Sequence, residues 1–565
     1  MTHHHDVPIE NGHGGHGGHG PVVPNTGAIQ GLPTGHGHTL HESYFMPGEM
    51  LLLAHHDGAV TDGPLRQWAL DLCAAYLDDF PDDPPSFSSD APFVQLDAET
   101  GKTALVKVTF ETLIEREEVS HEILKQRDET LVSIIKALND NKENANSQQP
   151  AENPILLETV IPNWLASTLP HFFGHPCPGG WPVPVLDGQL PPDTEDLFEK
   201  DIVHAAVALH APATPQIRAA QKGEIAEPQV NVVIFDTVQS MAAIHAASGR
   251  YSDHALLRSL VDKQRIHIHH ATAHNIPLPP PPLPDESNNP HFSHRNLYKV
   301  SDHGLFIAGI VHDFAPEADI HIVEVMNPHG AGTIESLIAG IQSVLNGAIL
   351  THPNLPLVVN CSLGFEIPVG DPEAAIELEL LRRALHQLED TFNQNNGARI
   401  IAAAGNDGKQ SQAPPPACVP AAFRFVIGVG AANHDGARAW YSNIVDAPPN
   451  DGLMAFGGDM IVEASGDVKS DSEHGILGIY IGSFPEWDSI NRGNIIEGAP
   501  SANGWARWSG TSFATGVVSG MFARAAADGR DIKANTANNF YVDLQAQSTD
   551  TTVQGEIIVL TPQKP

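Results

Sequence analysis

Residues 510–516 read GTSFATG and run straight into an apolar stretch, VVSGMFARAAA at 517–527. Ser512 stands among small residues at the start of a run of helical type. A serine hydroxyl is a poor nucleophile. To attack, it needs an exposed turn, a base, and a site for the anion that forms. Small neighbours let another backbone come close, and a helix N-terminus supplies partial positive charge. GTS alone is common in ordinary turns, so the weight falls on what lies upstream and in what order.

Four upstream segments matter. VNVVIFDT at 230–237 is a buried-type strand ending in Asp236. SDHGLFIAGIV at 301–311 places His303 and Gly304 at the head of an apolar helical run. PLVVNCSLGF at 356–365 is a second buried strand, running into Ser362, Leu363 and Gly364. ARIIAAAGNDG at 398–408 is a third, ending in Ala403, Ala404, Gly405 and Asn406. An Asp that orients and stabilises an imidazolium, a His that acts as base and a Ser that attacks form a triad. A side-chain amide such as Asn406 can donate to an oxyanion, and losing such a donor typically costs roughly 3–4 kcal/mol. The order Asp, His, Ser differs from the chymotrypsin order and from the α/β-hydrolase order.

At these motifs, over about 231–525, the chain resembles the subtilisin-like serine proteases. The resemblance implies a doubly wound α/β fold, with a mainly parallel sheet and helices on both faces. It implies Asp236, His303 and Ser512 as the triad and Asn406 as the oxyanion donor. It implies Ser362, Leu363 and Gly364, with Ala403, Ala404 and Gly405, as the lining of the substrate channel and its specificity pocket. VIGVGAANHDGARAWYSN at 426–443 resembles the strand and turn that precede the family's surface loops. A His at 303 and an amide at 406 set the chain apart from the related sedolisins. Calcium commonly stabilises the family, but no ligand set maps onto this sequence. No cofactor is required and no metal ligand is assigned. The chain departs from the family pattern at Leu305 and Phe306, which read as packing changes. It departs again at Gly516, where a Pro is usual, and at Phe365, where a second Gly is usual and a ring would reshape the outer subsites.

Composition bounds the rest. The chain has 565 residues and 41% apolar content, enough for two or three domains. Its formal charge of −38 argues against nucleic acid as a partner. The expected partners are a protein or peptide substrate and an intramolecular prodomain. Cys73, Cys177, Cys361 and Cys418 show no metal-ligand spacing and suggest no disulfide framework, which fits a reducing compartment. Residues 1–20 lack the basic and apolar regions of a signal peptide. No run approaches a membrane span of roughly 20 apolar residues. The expectation is a cytoplasmic protein, with export by another route left open.

The organisation reads in five parts. Residues 1–42 form a His/Gly-rich tail; nine His lie within 1–41. Residues 43–161 read as a small α+β unit: strand 49–55, helix 64–77, strands 91–97 and 103–110, helix 111–139 and strand 154–160. That order is ferredoxin-like. It also resembles the propeptide of subtilisin-like proteases, and IPNW at 161–164 resembles the segment after that propeptide's last strand in thermitase-like members. Residues 162–228 are a linker and the start of the catalytic domain, 229–530 that domain, and 531–565 a tail with an edge strand in EIIVLTP. Insertions are expected near 238–300 and 444–505, the second as surface loops. Within the first, 253–270 reads as a helix ending in HIHH, with His267, His269 and His270 as surface residues, and IPLPPPPLPD at 276–285 reads as polyproline II. The function expected is peptide-bond hydrolysis through an acyl-enzyme, restrained by the N-terminal unit. Two other readings remain: a protease-fold scaffold that binds without cutting, and a metal-regulated binding protein acting through the tail.

Overall fold

The computed structural model describes residues 27–29, 43–56, 62–77, 94–95, 103–110, 113, 121–150, 154–167, 180–185, 227–270, 298–365, 379–395, 397–410, 412–445, 453–462, 468–487, 495–533, 552–554 and 557–559. The expectations for most of the His-rich tail, for the polyproline stretch and for Cys177 fall outside these residues.

The N-terminal unit is an antiparallel sheet with helices packed on it. Its strands lie in the spatial order Val94–Gln95, Thr103–Thr109, Ser43–His56, Ile155–Ser167, with helices Asp62–Leu77 and His121–Asp140 between them in sequence. This is the ferredoxin-like arrangement. Apolar burial drives it: Met50 to Ala54 are buried without a break, as are Leu105, Val106 and Val108, with Leu65, Leu72, Leu131, Ile135 and Leu138 of the helices. The last strand does not stop at 160. It continues to Ser167 and pairs antiparallel with Ala331–Thr333, so the larger half of the chain adds a strand to this sheet.

A nine-stranded sheet forms the centre of the larger half. From one edge to the other the strands are Thr552–Gln554, Ile557–Val559, Leu453–Phe456, Ile427–Ala432, Ala398–Ala403, Leu357–Cys361, Val230–Asp236, Ala318–Glu324 and Ile266–His269. All neighbours run parallel except the Thr552–Gln554 pair. Parallel strands covered on both faces are apolar along their whole length, and Val230–Asp236 is buried at every position. One face packs on helices Ile334–Leu345 and Glu379–Asn395, the other on His303–Phe314 and Thr511–Ala527. A smaller sheet joins Met460–Val462, Val468–Ser470, Gly180–Pro184, Trp505–Ser509 and Ile476–Ile479. Among the described residues no helix is long and apolar enough to cross a membrane.

Two expectations are corrected. Residues 253–270 are not one helix: the helix Ala255–Asp262 ends, Gln264 takes a positive φ of 52°, and Ile266–His269 joins the central sheet as its edge strand. His267 and His269 are half-buried there, and His270 is exposed. Residues 444–505 are not only surface loops. Leu453–Phe456 and Ile476–Ile479 are wholly buried strands, hidden in the sequence by the Gly, Asp and Pro around them.

The His303 helix sits hard against the Asp236 strand, and Gly304 permits it. A Cβ at Gly304 would collide with the Thr237 carbonyl oxygen and lie 3.0 Å from Asp236 Cβ. A Cβ at Gly516, by contrast, would meet its nearest atom, Ile307 Cγ2, at 3.4 Å. The prediction is that Gly304→Ala destabilises by about 1–3 kcal/mol through overpacking. Gly516→Ala should be neutral or stabilise by up to about 1 kcal/mol through helix propensity. Denaturant unfolding checks both, and equal shifts in the two variants would contradict this account of the packing.

Candidate active site

Asp236 is the last residue of its strand and is fully buried. Its Oδ1 accepts from the Thr237 backbone N–H at 2.7 Å, and both carboxylate oxygens lie 2.9 Å from His303 Nδ1. The Thr237 hydroxyl lies 3.2 Å from the same Oδ1 and 3.0 Å from the Val300 carbonyl. A buried carboxylate without such donors costs several kcal/mol. An ionised carboxylate only accepts, so it fixes the proton on His303 Nδ1 and leaves Nε2 as the unprotonated nitrogen.

His303 opens the helix His303–Phe314, and aromatic rings hold its imidazole. The ring centroid lies 5.2 Å from that of Phe513 and 5.4 Å from that of Trp508. Both of these flank the Ser512 turn, so the imidazole is packed against the segment that carries Ser512. The preceding residue, Asp302, is fully buried, and burial pushes its carboxyl up to about 6. It accepts from Ile481 N at 2.9 Å and Gln239 Nε2 at 3.2 Å, which fastens the loop at 481 to the start of the helix.

Ser512 is the second residue of the helix Thr511–Ala527, near the positive end of its dipole. Two bonds clamp it to the end of the Leu357–Cys361 strand. Ser512 Oγ donates to the Ser362 carbonyl at 3.3 Å, and Ser362 Oγ lies 2.9 Å from the Ser512 carbonyl. The Ser512 hydroxyl is therefore turned to Ser362 rather than to His303. Cys361, one residue earlier, is buried, and burial pushes its thiol up to about 12, so it packs and does not compete as a nucleophile.

Asn406 follows the Ala398–Ala403 strand. Its Oδ1 accepts from the Thr511 backbone N–H at 2.8 Å. A backbone N–H can only donate, so the side-chain oxygen must face the helix and the NH2 must face away from it. That fixes Asn406 with a donor beside the Gly510 turn; a Cβ at Gly510 would lie 3.6 Å from Asn406 Nδ2. Gly405 is needed at its own place: φ is +109°, and a Cβ would lie 2.7 Å from Cys418 Sγ. Asn443 braces this turn, accepting from Asp407 N and donating to Asp407 Oδ2, each at 2.8 Å.

The expected lining segments 362–364 and 403–405 leave adjacent parallel strands side by side, with Cys361 and Ala402 in register. Ser362 and Leu363 are buried side chains, and the Ala404 backbone is spent on Val429 and Cys418. Phe365 does not reshape outer subsites: its ring is fully buried in the core, and its N–H donates to Val419. Sequence reasoning missed Thr237, Thr511, Asn443 and Asp302, and the part played by the Ser362 carbonyl. All are polar residues next to residues it did single out, and only burial marks them.

Residues 279–555 match the Subtilase family. The matched stretch holds His303, Asn406 and Ser512; Asp236 lies upstream of it and is joined to the site by its contact with His303. Among curated proteins, the chain is 25% identical over 230 residues to a thermostable alkaline protease of Halalkalibacterium halodurans, covering 38% of this chain and 55% of that protein. It is 30% identical over 145 residues to an extracellular serine proteinase of a Thermus species, covering 25% and 30%. It is 29% identical over 164 residues to the minor extracellular protease Epr of Bacillus subtilis, covering 27% and 22%. The chain thus spans about half or less of the length of these relatives. The stretch that matches the Subtilase family makes up just under half of this chain.

Proposed function

We propose that this protein is a serine endopeptidase with Asp236, His303 and Ser512 as its triad. The observation that carries the reading is the buried Asp236 carboxylate, 2.9 Å from His303 Nδ1 through both oxygens, with that imidazole packed against the residues around Ser512. The family match supports the same chemistry. Substrate binding swings the Ser512 hydroxyl off the Ser362 carbonyl toward His303 Nε2. His303 takes the proton as Ser512 Oγ attacks a peptide carbonyl. The charge on the former carbonyl oxygen is met by the Asn406 NH2 and the helix N-terminus, where the Ser512 backbone N–H lies. The imidazolium, steadied by Asp236, then protonates the leaving amine, and water hydrolyses the acyl-enzyme with His303 again as base. The segments 362–364 and 403–405 flank the substrate.

The N-terminal unit restrains this site in the proposed mechanism. Its last strand pairs with Ala331–Thr333, and a polar cluster adds to that contact. Lys107 Nζ lies 2.8 Å from Glu335 in the first turn of Ile334–Leu345, Asn163 Nδ2 donates to Glu49 at 2.7 Å, and Arg383 pairs with Glu158 at 2.6 Å. The chain leaves this unit at Ser167 and re-enters the described structure at Gly180. There the Gly180 carbonyl accepts from Trp508 Nε1 at 2.7 Å, four residues before Ser512. Residues 168–179 thus connect the inhibitory unit to the strand beside the nucleophile turn, and cutting them frees the unit while Gly180–Pro184 stays in the catalytic half.

Three outcomes test the reading. Ser512→Ala should abolish peptide hydrolysis and fluorophosphonate labelling with no change in fold; near wild-type turnover would sink the assignment. Asn406→Ala should lower kcat by about 10²–10³ with KM little changed; an effect on KM alone would make Asn406 a binding residue. Uncut protein should be latent, protein cleaved between Ser167 and Gly180 active, and the isolated 43–167 fragment inhibitory in trans. Equal peptidase activity in all three samples would rule out the restraint.

A further inference from the structure

The far end of the central sheet carries a cluster that the proposed catalysis does not use. The edge strand Ile266–His269 lies parallel to Ala318–Glu324, with His267 opposite His321. Asp319 and His321 are two apart, so both point to the same face, alongside His267 and His269. His267 Nε2 lies 2.7 Å from Asp319 Oδ1, and His321 Nε2 lies 3.3 Å from Asp319 Oδ2. Asp319 and His321 are buried, at 3% and 0% exposure, and neither Asp319 Oδ2 nor His321 Nε2 makes a hydrogen bond. Two buried polar atoms facing each other without a bond between them are costly. A third ring adds a constraint: His269 Nε2 lies 3.1 Å from His321 Nδ1. With the proton on His321 Nδ1, that bond is made, and His321 Nε2 turns a bare lone pair toward a carboxylate oxygen.

The geometry points to a divalent transition-metal site, of the zinc class, built from His267 Nε2, Asp319 and His321 Nε2. The donor atoms of the three residues lie within 4.8 Å of one another. Zinc–ligand bonds of about 2.0–2.1 Å at tetrahedral angles set donors roughly 3.3 Å apart, close to the spacing of the orphaned pair. Two imidazoles and one carboxylate suit zinc, cobalt or nickel and do not suit calcium, which takes six to eight oxygens. Binding displaces the proton shared between His267 and Asp319. His269 orients His321 from behind, as partners of ligating imidazoles do. Half-exposed His267 provides the way in, and a fourth position is left for water. Asp319 stands opposite Asn231, five residues before Asp236 on that strand. At about 3.3 Å per residue the site is roughly 16 Å from the triad, so it pins the edge strand to the sheet rather than joining the chemistry. A second cluster, His434, Asp459 and His474, has partly exposed donors and none of these orphaned atoms.

The test counts Co²⁺ and Zn²⁺ bound to the full chain by equilibrium dialysis, with the His-rich tail and the His434 cluster present in every sample. Wild type should bind one more ion than His267→Ala or Asp319→Asn, and only wild type should give the visible absorption of four-coordinate Co²⁺ at that stoichiometry. His269→Ala, which leaves all three ligands, should weaken that ion about 10–100-fold. Zinc should raise the thermal midpoint of wild type by a few degrees more than that of His267→Ala. His267 is half-exposed, so its alanine variant folds even if the Asp319 variant does not. Equal ion counts in wild type and His267→Ala would overturn the site.

Discussion

The Asp236–His303 pair is the constraint on which the rest of the molecule depends. A carboxylate with no exposure survives only if every nearby donor is turned on it, and here a backbone N–H and an imidazole N–H are. That requires the His303 helix to lie within a side chain's length of the Asp236 strand, which Gly304 allows. It also requires that strand to be central, so that burial is complete. The parallel order of the sheet then does the rest: Asp236 ends its strand, and Ser362 and Asn406 follow the carboxyl ends of the next two, where open α/β sheets gather their functional groups.

Much of this was legible in the residues. Val230–Asp236, Leu357–Cys361 and Ala398–Ala403 read as strands because strands buried on both faces are near-continuous apolar runs, here interrupted only by Asn231, Asn360 and Arg399 before their last residues. The GTS turn before a helix was visible for the same local reason. Where the fold is made by distant pairings, the sequence was silent. Gly180–Pro184 carries two prolines and reads as a linker, yet it pairs with Trp505–Ser509 more than 300 residues later in the chain. Leu453–Phe456 is four residues long and disguised by its flanks. Ile266–His269 alternates Ile with His, and a half-polar edge strand of four residues carries too little pattern to outweigh the helix before it.

The polar residues that hold the site were illegible for a different reason. Thr237, Thr511 and Asn443 are ordinary residues by composition, and their importance comes from burial alone. Thr511 shows this best. Its N–H fixes which way the Asn406 amide points, and its hydroxyl accepts from Gly405 N at 3.3 Å. One residue therefore ties the Ser512 helix to Asn406, at the end of the neighbouring strand. The same helix that carries Ser512 fixes the Asn406 amide, so in the proposed mechanism donor and nucleophile share one support. Preorganisation of that kind is what lets a single amide be worth several kcal/mol at the transition state.

The two halves of the molecule are joined by the same physics that would bind a substrate. Ile155–Ser167 meets Ala331–Thr333 by strand addition, which satisfies backbone groups without demanding any particular side chain. Specificity comes from the buried Asn163, held by Glu49 and accepting from the Glu335 backbone N–H at 3.5 Å, and from the Lys107–Glu335 pair across to the first turn of the helix Ile334–Leu345. A carboxylate in a first turn meets the positive end of its own helix, and Lys107 then satisfies it from the other side. Exposed pairs such as Arg383–Glu158 add little on their own. The contact also has an apolar part: buried residues of the N-terminal unit, such as Leu53 and Ile161, form one continuous hydrophobic cluster with Ile334, Leu337 and Leu381 of the larger half. In the restraint proposed above, linkage through the chain keeps the unit's local concentration high, and cutting the chain removes that advantage.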